Sequence, residues 1–333
     1  MSEQVVRSKR LFFREAIACA LEEEMAEDPR VFVLGQDVGS FGGSYREFDG
    51  LHQKFGASRV RDTPVAESAM VGIGVGAAAA GQRPLVCITY MDFMMLALDP
   101  LVNYGAKVRY KTAGRLTAPV VVKTTAGAKG QGVAHSQCIE AWLMSVPGLC
   151  VVAPSSPAEA YSLLRAALRH HGPVVYVDHK RLFPLAGEVM LGEIGTIGKA
   201  KIRRHGTDLT VTTHSYMTRI ALQAAEALQK QGVSIEVIDL LTLAPLDVET
   251  ITDSLEKTGA LLTLEEGQST CGVGAEVIAR VQEIMGSVRC TRVAALPAPV
   301  SSNPVLEKAC LPDSARVVDA AIRLLKKRAH ERR

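Results

Sequence analysis

Aromatic residues are scarce in this sequence, and neither sign of charge is in large excess. Only 5% of its 333 residues are aromatic, and 38 basic against 35 acidic residues leave a formal net charge of +3. A chain so close to charge balance offers no broad basic face for nucleic acid. Its long uncharged stretch after Glu67 is shorter than the ~20 residues that a membrane-spanning helix needs. We therefore expect neither a nucleic acid nor a membrane as a partner.

The seven cysteines form no pattern that is typical of a disulfide framework or a zinc site. They are odd in number, are scattered along the chain and include no C-x-x-C pair. We therefore predict no metal site on this chain. The first residues, MSEQVVRSKR, contain no apolar segment of the kind found in a secretory signal peptide. Together these features predict a cytoplasmic location.

Small and aliphatic residues are abundant, and in the first half they form alternating strand-like and helix-like segments. Hydrophobic residues make up 47% of the chain, which also contains 28 glycines. Continuous apolar runs of strand length predict buried strands, and longer segments with helical periodicity predict helices between them. The predicted strands are 31–35, 84–89, 119–124, 149–153 and 173–178, and the predicted helices are 11–27, 64–81, 93–112 and 157–170. This alternation is typical of a parallel sheet covered by helices on both faces.

A second alternation follows a glycine-punctuated stretch at 185–199. Its predicted strands are 209–214, 234–240, 260–264 and 288–293, and its predicted helices are 219–230, 248–257, 273–284 and 313–327. Because the chain is long enough for two domains, we place a boundary within the loose stretch. The sequence therefore predicts an α/β fold with two parallel-sheet domains, 1–190 and 191–333.

The glycine-rich segment 72–77 matches the dinucleotide-binding pattern G-x-G-x-x-A, but its context does not support that function. The pattern requires a strand immediately before it. Here Thr63 and Pro64 look like the cap and first residue of a helix. The glycines would then lie inside the helix, where they favour close packing.

Three residues are candidates for chemistry, and for each the residue pattern leaves a structural alternative open. Glu67 lies one position beyond the acid of a capping box, so it either complements the helix dipole or faces a functional partner. Phe93 follows a strand end, where it is either a core aromatic or a ligand contact. His135 follows the glycine loop 127–132, where it is either solvated or a proton-handling residue.

In combination, the motifs closely resemble the beta subunit of the thiamine-diphosphate-dependent decarboxylase component of 2-oxo acid dehydrogenase complexes. This family includes pyruvate, branched-chain 2-oxo acid and acetoin dehydrogenases. The resemblance covers nearly the whole chain. The segments that carry it are VFVLGQDVG (31–39), RVRDTPVAESAMVGIGVGAAAAG (59–81), MDFMMLALDPLVN (91–103), AHSQCIEAW (134–142), PGLCVVAPSSPAEA (147–160), VIDLLTLAPLD (237–247) and GVGAEV (272–277).

The resemblance implies a transketolase-like pyrimidine-binding domain followed by a transketolase C-terminal domain. It implies that Glu67 is catalytic and binds the cofactor, by hydrogen-bonding a ring nitrogen of the aminopyrimidine as one end of a proton relay. It implies that Phe93 packs against the face of the same ring. It also implies that His135 is a catalytic histidine close to the reacting centre.

The family normally holds the cofactor's diphosphate through a metal and a Gly-Asp-Gly motif, and this sequence contains no such motif. The resemblance therefore implies that an alpha subunit supplies most of the Mg²⁺ and diphosphate ligands. It implies a heterotetramer of two alpha and two beta chains with a beta–beta contact, and a lipoyl acyltransferase as a further partner.

We therefore predict decarboxylation of a 2-oxo acid, pyruvate or branched-chain, with acyl transfer to a lipoyl domain. Acetoin cleavage and a split transketolase remain alternatives, and an assembly scaffold for an alpha chain is the alternative without catalysis. The sequence departs from the family pattern at Gln36 (usually Glu), Ala134 (often Gln), Asp178 (usually Glu) and the loop 296–307, which lacks the customary Asp and aromatic residue. These departures bear on the identity of the substrate.

Overall fold

The computed structural model describes residues 7–331, and its chain divides into two compact units. The first unit comprises the residues up to Ala126 together with Leu143–Ile197. The second comprises Gly127–Trp142 together with the residues from Gly198 onward. The segment Gly127–Trp142 therefore folds with the second unit, although it lies between two parts of the first in sequence. The domain boundary predicted at residue 190 stays a prediction.

The first unit is built on a parallel sheet. Strands β6, β7, β5, β4, β2 and β3 lie side by side in that order and run parallel, while β1 and β8 form a separate antiparallel pair. In chain order, the elements before residue 198 are β1 (Ser8–Phe12), α1 (Phe13–Glu27), β2 (Val31–Gly35), α2 (Leu51–Phe55), β3 (Val60–Asp62), α3 (Glu67–Ala79), β4 (Arg83–Ile88), a 3₁₀ turn (Met91–Phe93), α4 (Met94–Leu98), a π-helical turn (Asp99–Ala106), α5 (Val108–Lys111), β5 (Val121–Ala126), α6 (Glu140–Met144), β6 (Cys150–Val152), α7 (Pro157–Arg169), β7 (Val174–His179) and β8 (Ala186–Met190). The first three residues of α6 belong to the second unit.

The second unit contains a five-stranded sheet in the order β14-β13-β10-β11-β9. Its strands are parallel except for β9, which pairs antiparallel with β11 at the edge. The elements are β9 (Lys201–Arg204), β10 (Leu209–Thr213), α8 (Met217–Gln229), β11 (Ile235–Asp239), β12 (Thr242–Ala244), α9 (Val248–Thr258), β13 (Ala260–Gln268), α10 (Val273–Met285), β14 (Arg289–Ala295), α11 (Pro304–Cys310) and α12 (Ser314–Glu331). Helices α8 and α12 pack on one core with strands β10 and β13.

The α/β fold with two such units is confirmed, and two predicted helices are corrected. Residues 8–12 form a strand, so the first helix begins at Phe13 rather than at residue 11. The predicted helix 93–112 is divided into α4, the π-helical turn and α5. Pro100 accounts for the break after α4, because it has no N–H to continue the i→i−4 ladder. Among residues 7–331, no helix combines the length and the hydropathy needed to cross a membrane.

The glycines of α3 differ sharply in the space around them. A Cβ at Gly74 would overlap Cγ2 of Val86 on β4, whereas a Cβ at Gly76 would meet nothing within 4 Å. Gly74 therefore allows α3 to approach the sheet closely, as the helical placement of these glycines predicts.

We expect the two Gly→Ala substitutions to change stability in opposite directions. Gly74→Ala should lower the free energy of unfolding by about 1–3 kcal/mol, because the added methyl overpacks the core. Gly76→Ala should raise it by up to about 1 kcal/mol, because alanine has the higher helix propensity. Urea unfolding of the full chain measures both values. Equal effects of the two substitutions would contradict the close packing at Gly74.

Candidate active site

Glu67 is the first residue of α3. The helix was expected to begin at Pro64 with Thr63 as its cap, but Ala66 occupies the cap position. The reason is that the Thr63 N–H donates to the Gly35 carbonyl oxygen (3.0 Å), which extends the pairing of β3 with β2 beyond its last residue. Residues 63–66 are therefore held outside the helix, and Glu67 lies in the first turn at the carboxyl end of β3.

The environment of Glu67 leaves its carboxylate available to a ligand. The residue is half-buried, and its carboxylate makes no hydrogen bond or ion pair with any residue that the structure describes. The N-terminus of a 13-residue helix favours negative charge at this position. A half-buried carboxylate in such a place can accept a hydrogen bond from a bound ring N–H.

Phe93 ends the 3₁₀ turn that follows β4, and its ring is half-buried. Its N–H donates to the Tyr90 carbonyl oxygen (3.0 Å), and the two rings make an edge contact with centroids 6.3 Å apart. Phe93 is thus a partly accessible ring that is fixed in place by a neighbouring aromatic, rather than a fully buried core residue.

The adjacent parallel strands β3, β2 and β4 have their carboxyl ends on the same side of the sheet. They are followed in the chain by Glu67, Gln36 and Phe93, respectively. Strand β2 lies between β3 and β4, so Gln36 immediately follows the central strand of the three. Neighbouring strands are ~4.8 Å apart, so the ends of β3 and β4 are separated by about 10 Å. The carboxyl edge of a parallel α/β sheet is where ligands bind. The structure thus brings Glu67 and Phe93 to the same edge of the first unit.

His135 belongs to the second unit, within Gly127–Trp142. Its N–H donates to the Gly132 carbonyl oxygen (3.2 Å), and its side chain is half-buried. The glycine loop before it turns through positive φ at Gly127, Gly130 and Gly132 (86°, 78° and 76°). Glu67 and Phe93 therefore share one unit, and His135 is positioned by the other.

Sequence reasoning missed a buried ion cluster in the first unit. The ammonium Nζ of Lys123 on β5 lies 3.1 Å from Glu47 Oε1 and 2.8 Å from Asp178 Oδ2 on β7, and all three side chains are at most 2% exposed. Burial raises the pKa of Asp178, while Lys123 opposes that rise. The two carboxylates outweigh the effect of burial on Lys123 and hold its pKa well above its usual value.

The cluster ties the loop after β2, through Glu47, to the strands β5 and β7. The signal that could have revealed it is the lysine in the otherwise apolar strand segment PVVVKT (119–124). A lysine is almost never fully buried unless it is paired, so this position alone predicts a buried acidic partner.

No three His, Cys, Asp or Glu side chains of the described residues form a group that could hold a metal ion.

Two family models match the chain and account for most of it. The model "Transketolase, pyrimidine binding domain" matches residues 9–185, and "Transketolase, C-terminal domain" matches residues 198–317.

Curated relatives are similar over nearly the full length. The chain is 42% identical over 327 residues to "Pyruvate dehydrogenase E1 component subunit beta-1, mitochondrial" of Arabidopsis thaliana, covering 95% of this chain and 90% of that protein. It is 43% identical over 272 residues to "2-oxoisovalerate dehydrogenase subunit beta" of Bacillus subtilis, covering 81% of this chain and 83% of that protein.

Solved structures are similar in fold. The structure titled "Split gene transketolase, inactive beta4 tetramer" matches with a TM-score of 0.78 at 23% identity, over 94% of this chain and 98% of that one. Transketolase from Leishmania mexicana matches with a TM-score of 0.73 at 20% identity, over 98% of this chain and 47% of that one. At these identities the likeness concerns the fold alone.

Proposed function

Because this chain belongs to the transketolase-like family of 2-oxo acid dehydrogenase beta subunits, we propose that it forms half of a thiamine-diphosphate-dependent decarboxylase. The proposed enzyme decarboxylates a 2-oxo acid and transfers the acyl group to a lipoyl domain. The observation that carries the proposal is the Glu67 carboxylate, which is half-buried and has no partner among the described residues at a ligand-binding sheet edge.

The residues of the first unit fit the aminopyrimidine half of thiamine diphosphate. Glu67 offers a carboxylate that can accept a hydrogen bond from a ring nitrogen, and Phe93 offers a partly accessible aromatic ring to pack against. Such an aromatic contact contributes ~0.5–1.5 kcal/mol beyond the burial of apolar area.

When bound, thiamine diphosphate supplies the nucleophilic carbon that attacks the 2-oxo group and the electron sink that allows loss of CO₂. Glu67 would hold a proton at the pyrimidine ring nitrogen, in a site from which Phe93 helps to exclude water. His135 would give or take a proton near the reacting centre.

The chain lacks the Gly-Asp-Gly motif, so we propose that an alpha subunit brings the Mg²⁺ and diphosphate ligands. Exposed apolar side chains lie on α3, α4 and the π-helical turn, three elements that pack together. We define an apolar face by the exposed side chains Ile73, Met95, Leu96 and Tyr104 (59%, 42%, 56% and 60% exposed). Exposed apolar patches of this kind mark protein interfaces. Because the missing ligands must lie near Glu67, we assign this face to the alpha subunit.

Reconstitution with its alpha subunit tests the proposal directly. We expect the isolated chain to bind thiamine diphosphate negligibly by calorimetry, and the pair to bind it and release CO₂ from pyruvate or 2-oxoisovalerate. Ile73→Glu should prevent assembly without changing the unfolding of the isolated chain, because it places a charge on the apolar face. Arg280→Glu, on an exposed part of α10, is the matched control.

The outcomes separate the alternatives. Cleavage of acetoin in place of 2-oxo acids would favour the acetoin dehydrogenase, and ketol transfer between sugar phosphates would favour a split transketolase. An assembled pair without turnover on any of these substrates would favour a scaffold. Tight binding of thiamine diphosphate by the isolated chain would contradict the shared site.

We also propose a beta–beta contact, a lipoyl acyltransferase partner and a cytoplasmic location. A beta–beta contact in a heterotetramer and a lipoyl acyltransferase partner follow from the proposed function rather than from a contact in this chain. The cytoplasmic location is supported by seven free cysteines. The Arabidopsis relative is named as mitochondrial, whereas the name of the Bacillus relative carries no location.

A further inference from the structure

The second unit contains a cavity of about 300 Å³ that the proposed function does not use. It lies among the segment Gly127–Trp142, the end of β13, the turn before α10 and the loop after β14. Six of its lining side chains could contact a ligand through charge, sulfur or an aromatic ring: Cys138, Glu140, Trp142, Glu265, Glu266 and Cys271. We call it the acidic cavity.

Two of its three carboxylates accept hydrogen bonds from backbone N–H groups of other residues. Glu265 accepts from the N–H groups of Val273 and Gly274 (2.9 and 2.8 Å) at the start of α10, where the helix dipole adds to the stabilisation. Glu266 accepts from the Ala128 N–H (2.7 Å). These contacts allow two acidic side chains to remain buried side by side.

Glu140 is different, because it is only 3% exposed and its carboxylate accepts a hydrogen bond from its own backbone N–H alone among the described residues. A buried carboxylate that has no cation beside it is costly even with one such hydrogen bond, so it must take up a proton or meet a cation. Burial raises the pKa of Glu140 to about 8, and the charges of Glu265 and Glu266 add to the rise, while the hydrogen bond from its own backbone N–H opposes it. The Glu140 carboxyl group is therefore mostly protonated at neutral pH, and a bound cation would displace that proton.

The other charged and titratable groups around Glu140 do not compensate for it. Arg292 on β14 acts on Glu265, lowering its pKa against the larger effect of burial. Cys138 and Cys271 also line the cavity, and neither forms a disulfide bond. Glu140 thus remains the one carboxyl group of the cavity that, among the described residues, accepts no hydrogen bond from another residue.

The lining favours an organic cation over a metal ion. No three acidic, histidine or cysteine side chains of the described residues are arranged to hold a metal. The indole of Trp142 lines the same cavity. An aromatic ring can contribute a cation–π contact to an alkylammonium or guanidinium group, and a carboxylate supplies the opposite charge. The volume is at the lower end of the range for small-molecule sites, ~300–1,000 Å³.

We propose that the acidic cavity binds a small organic cation, a molecule with a guanidinium or alkylammonium group, and that Glu140 is its ion-pair partner. The cation replaces the proton on Glu140 and packs against Trp142. The site lies wholly within the second unit and does not depend on thiamine diphosphate or on an alpha subunit.

Trp142 is the only tryptophan of the chain, so its fluorescence reports directly on the cavity. The full chain is titrated with methylguanidinium chloride, which stays cationic throughout, at constant ionic strength maintained with NaCl. We expect a saturable change in fluorescence. Affinity should be about tenfold higher at pH 9 than at pH 7, because the ionised fraction of Glu140 rises by that factor across its pKa. n-Butanol, a neutral probe of similar size, should produce no such change.

Glu140→Gln keeps the shape of the side chain and removes its charge, so it should weaken binding at pH 9 at least tenfold and abolish the pH dependence. Glu256→Gln, on the exposed face of α9, is the matched control and should behave like the unmodified chain. The pH dependence of the unmodified chain tests the proposal even if the Glu140 variant does not fold. Absence of a saturable change at pH 9, an equal response to n-butanol, or pH-independent binding would each overturn it.

Discussion

Replacing Glu67 by Gln should lower the rate of decarboxylation by the reconstituted enzyme by about 10²- to 10⁴-fold, the range contributed by a positioned acid–base group. Glutamine has the same shape and can still accept a hydrogen bond through its amide oxygen. It cannot carry the negative charge that holds a proton at the pyrimidine ring nitrogen. The loss should therefore fall on kcat, with little change in the KM for the 2-oxo acid.

Assembly and folding should survive this substitution. Glu67 makes no hydrogen bond or ion pair with the residues described in the structure, so its replacement breaks no contact within the chain. Only a favourable interaction with the helix dipole is lost, which contributes ~0.3–1 kcal/mol. Size-exclusion chromatography of the pair and urea unfolding of the chain measure these two properties.

Glu249→Gln is a suitable control for the Glu67 experiment. Glu249 also lies in the first turn of its helix, α9, but it is 76% exposed and pairs with the surface residue Lys199. Its substitution should leave turnover unchanged. Turnover of the Glu67→Gln enzyme within about threefold of the unmodified enzyme, far from the expected loss, would refute the catalytic assignment of Glu67.

The sheet and most helices could be predicted because each apolar run or periodic segment is a local property of the sequence. Strand β1 was missed because its pairing with β8 joins residues about 180 positions apart, from Ser8 with Met190 to Phe12 with Ala186. Residues 11 and 12 read equally well as the first turn of the following helix. Edge strand β9 is missed for a similar reason, since only its pairing with β11 identifies it.

Contacts between residues far apart in sequence also limited the prediction of the candidate site. Glu67 and Phe93 could be proposed from motif resemblance, but the start of α3 was misplaced because the bond from Thr63 to Gly35 is tertiary. The cluster of Lys123, Glu47 and Asp178 joins a loop and two strands that are far apart in sequence. Local patterns cannot reveal such partners, although a lysine within an apolar strand signals that one exists.

Replacing Lys123 by Met should lower the free energy of unfolding by about 3–5 kcal/mol at pH 7, the usual cost of breaking a buried ion pair from one side. Methionine fills a similar volume but leaves the carboxylates of Glu47 and Asp178 without their cation. The Phe48 and Phe183 rings, which lie 5.6 and 5.7 Å from Lys123 Nζ, offer no compensation for them. Urea unfolding of the full chain measures the loss.

The size of this loss should depend on pH in a defined direction. Burial raises the pKa of Asp178 in the folded chain, and removal of Lys123 removes the charge that opposes the rise. An acid with a raised folded pKa favours the folded state most below its unfolded pKa, and this advantage is lost as pH rises through the folded value. The penalty of Lys123→Met should therefore be smaller at pH 5 than at pH 7.

Two further variants separate lost charge pairing from lost packing. Lys54→Met removes a half-exposed lysine that pairs with Glu22, and should cost no more than about 1 kcal/mol. Adding Asp178→Asn to Lys123→Met should recover part of the loss, because one of the two unpaired carboxylates is gone. If the single and double variants were equally unstable at both pH values, the cost would come from packing around Phe48 and Phe183, and the electrostatic account of Lys123 would be wrong.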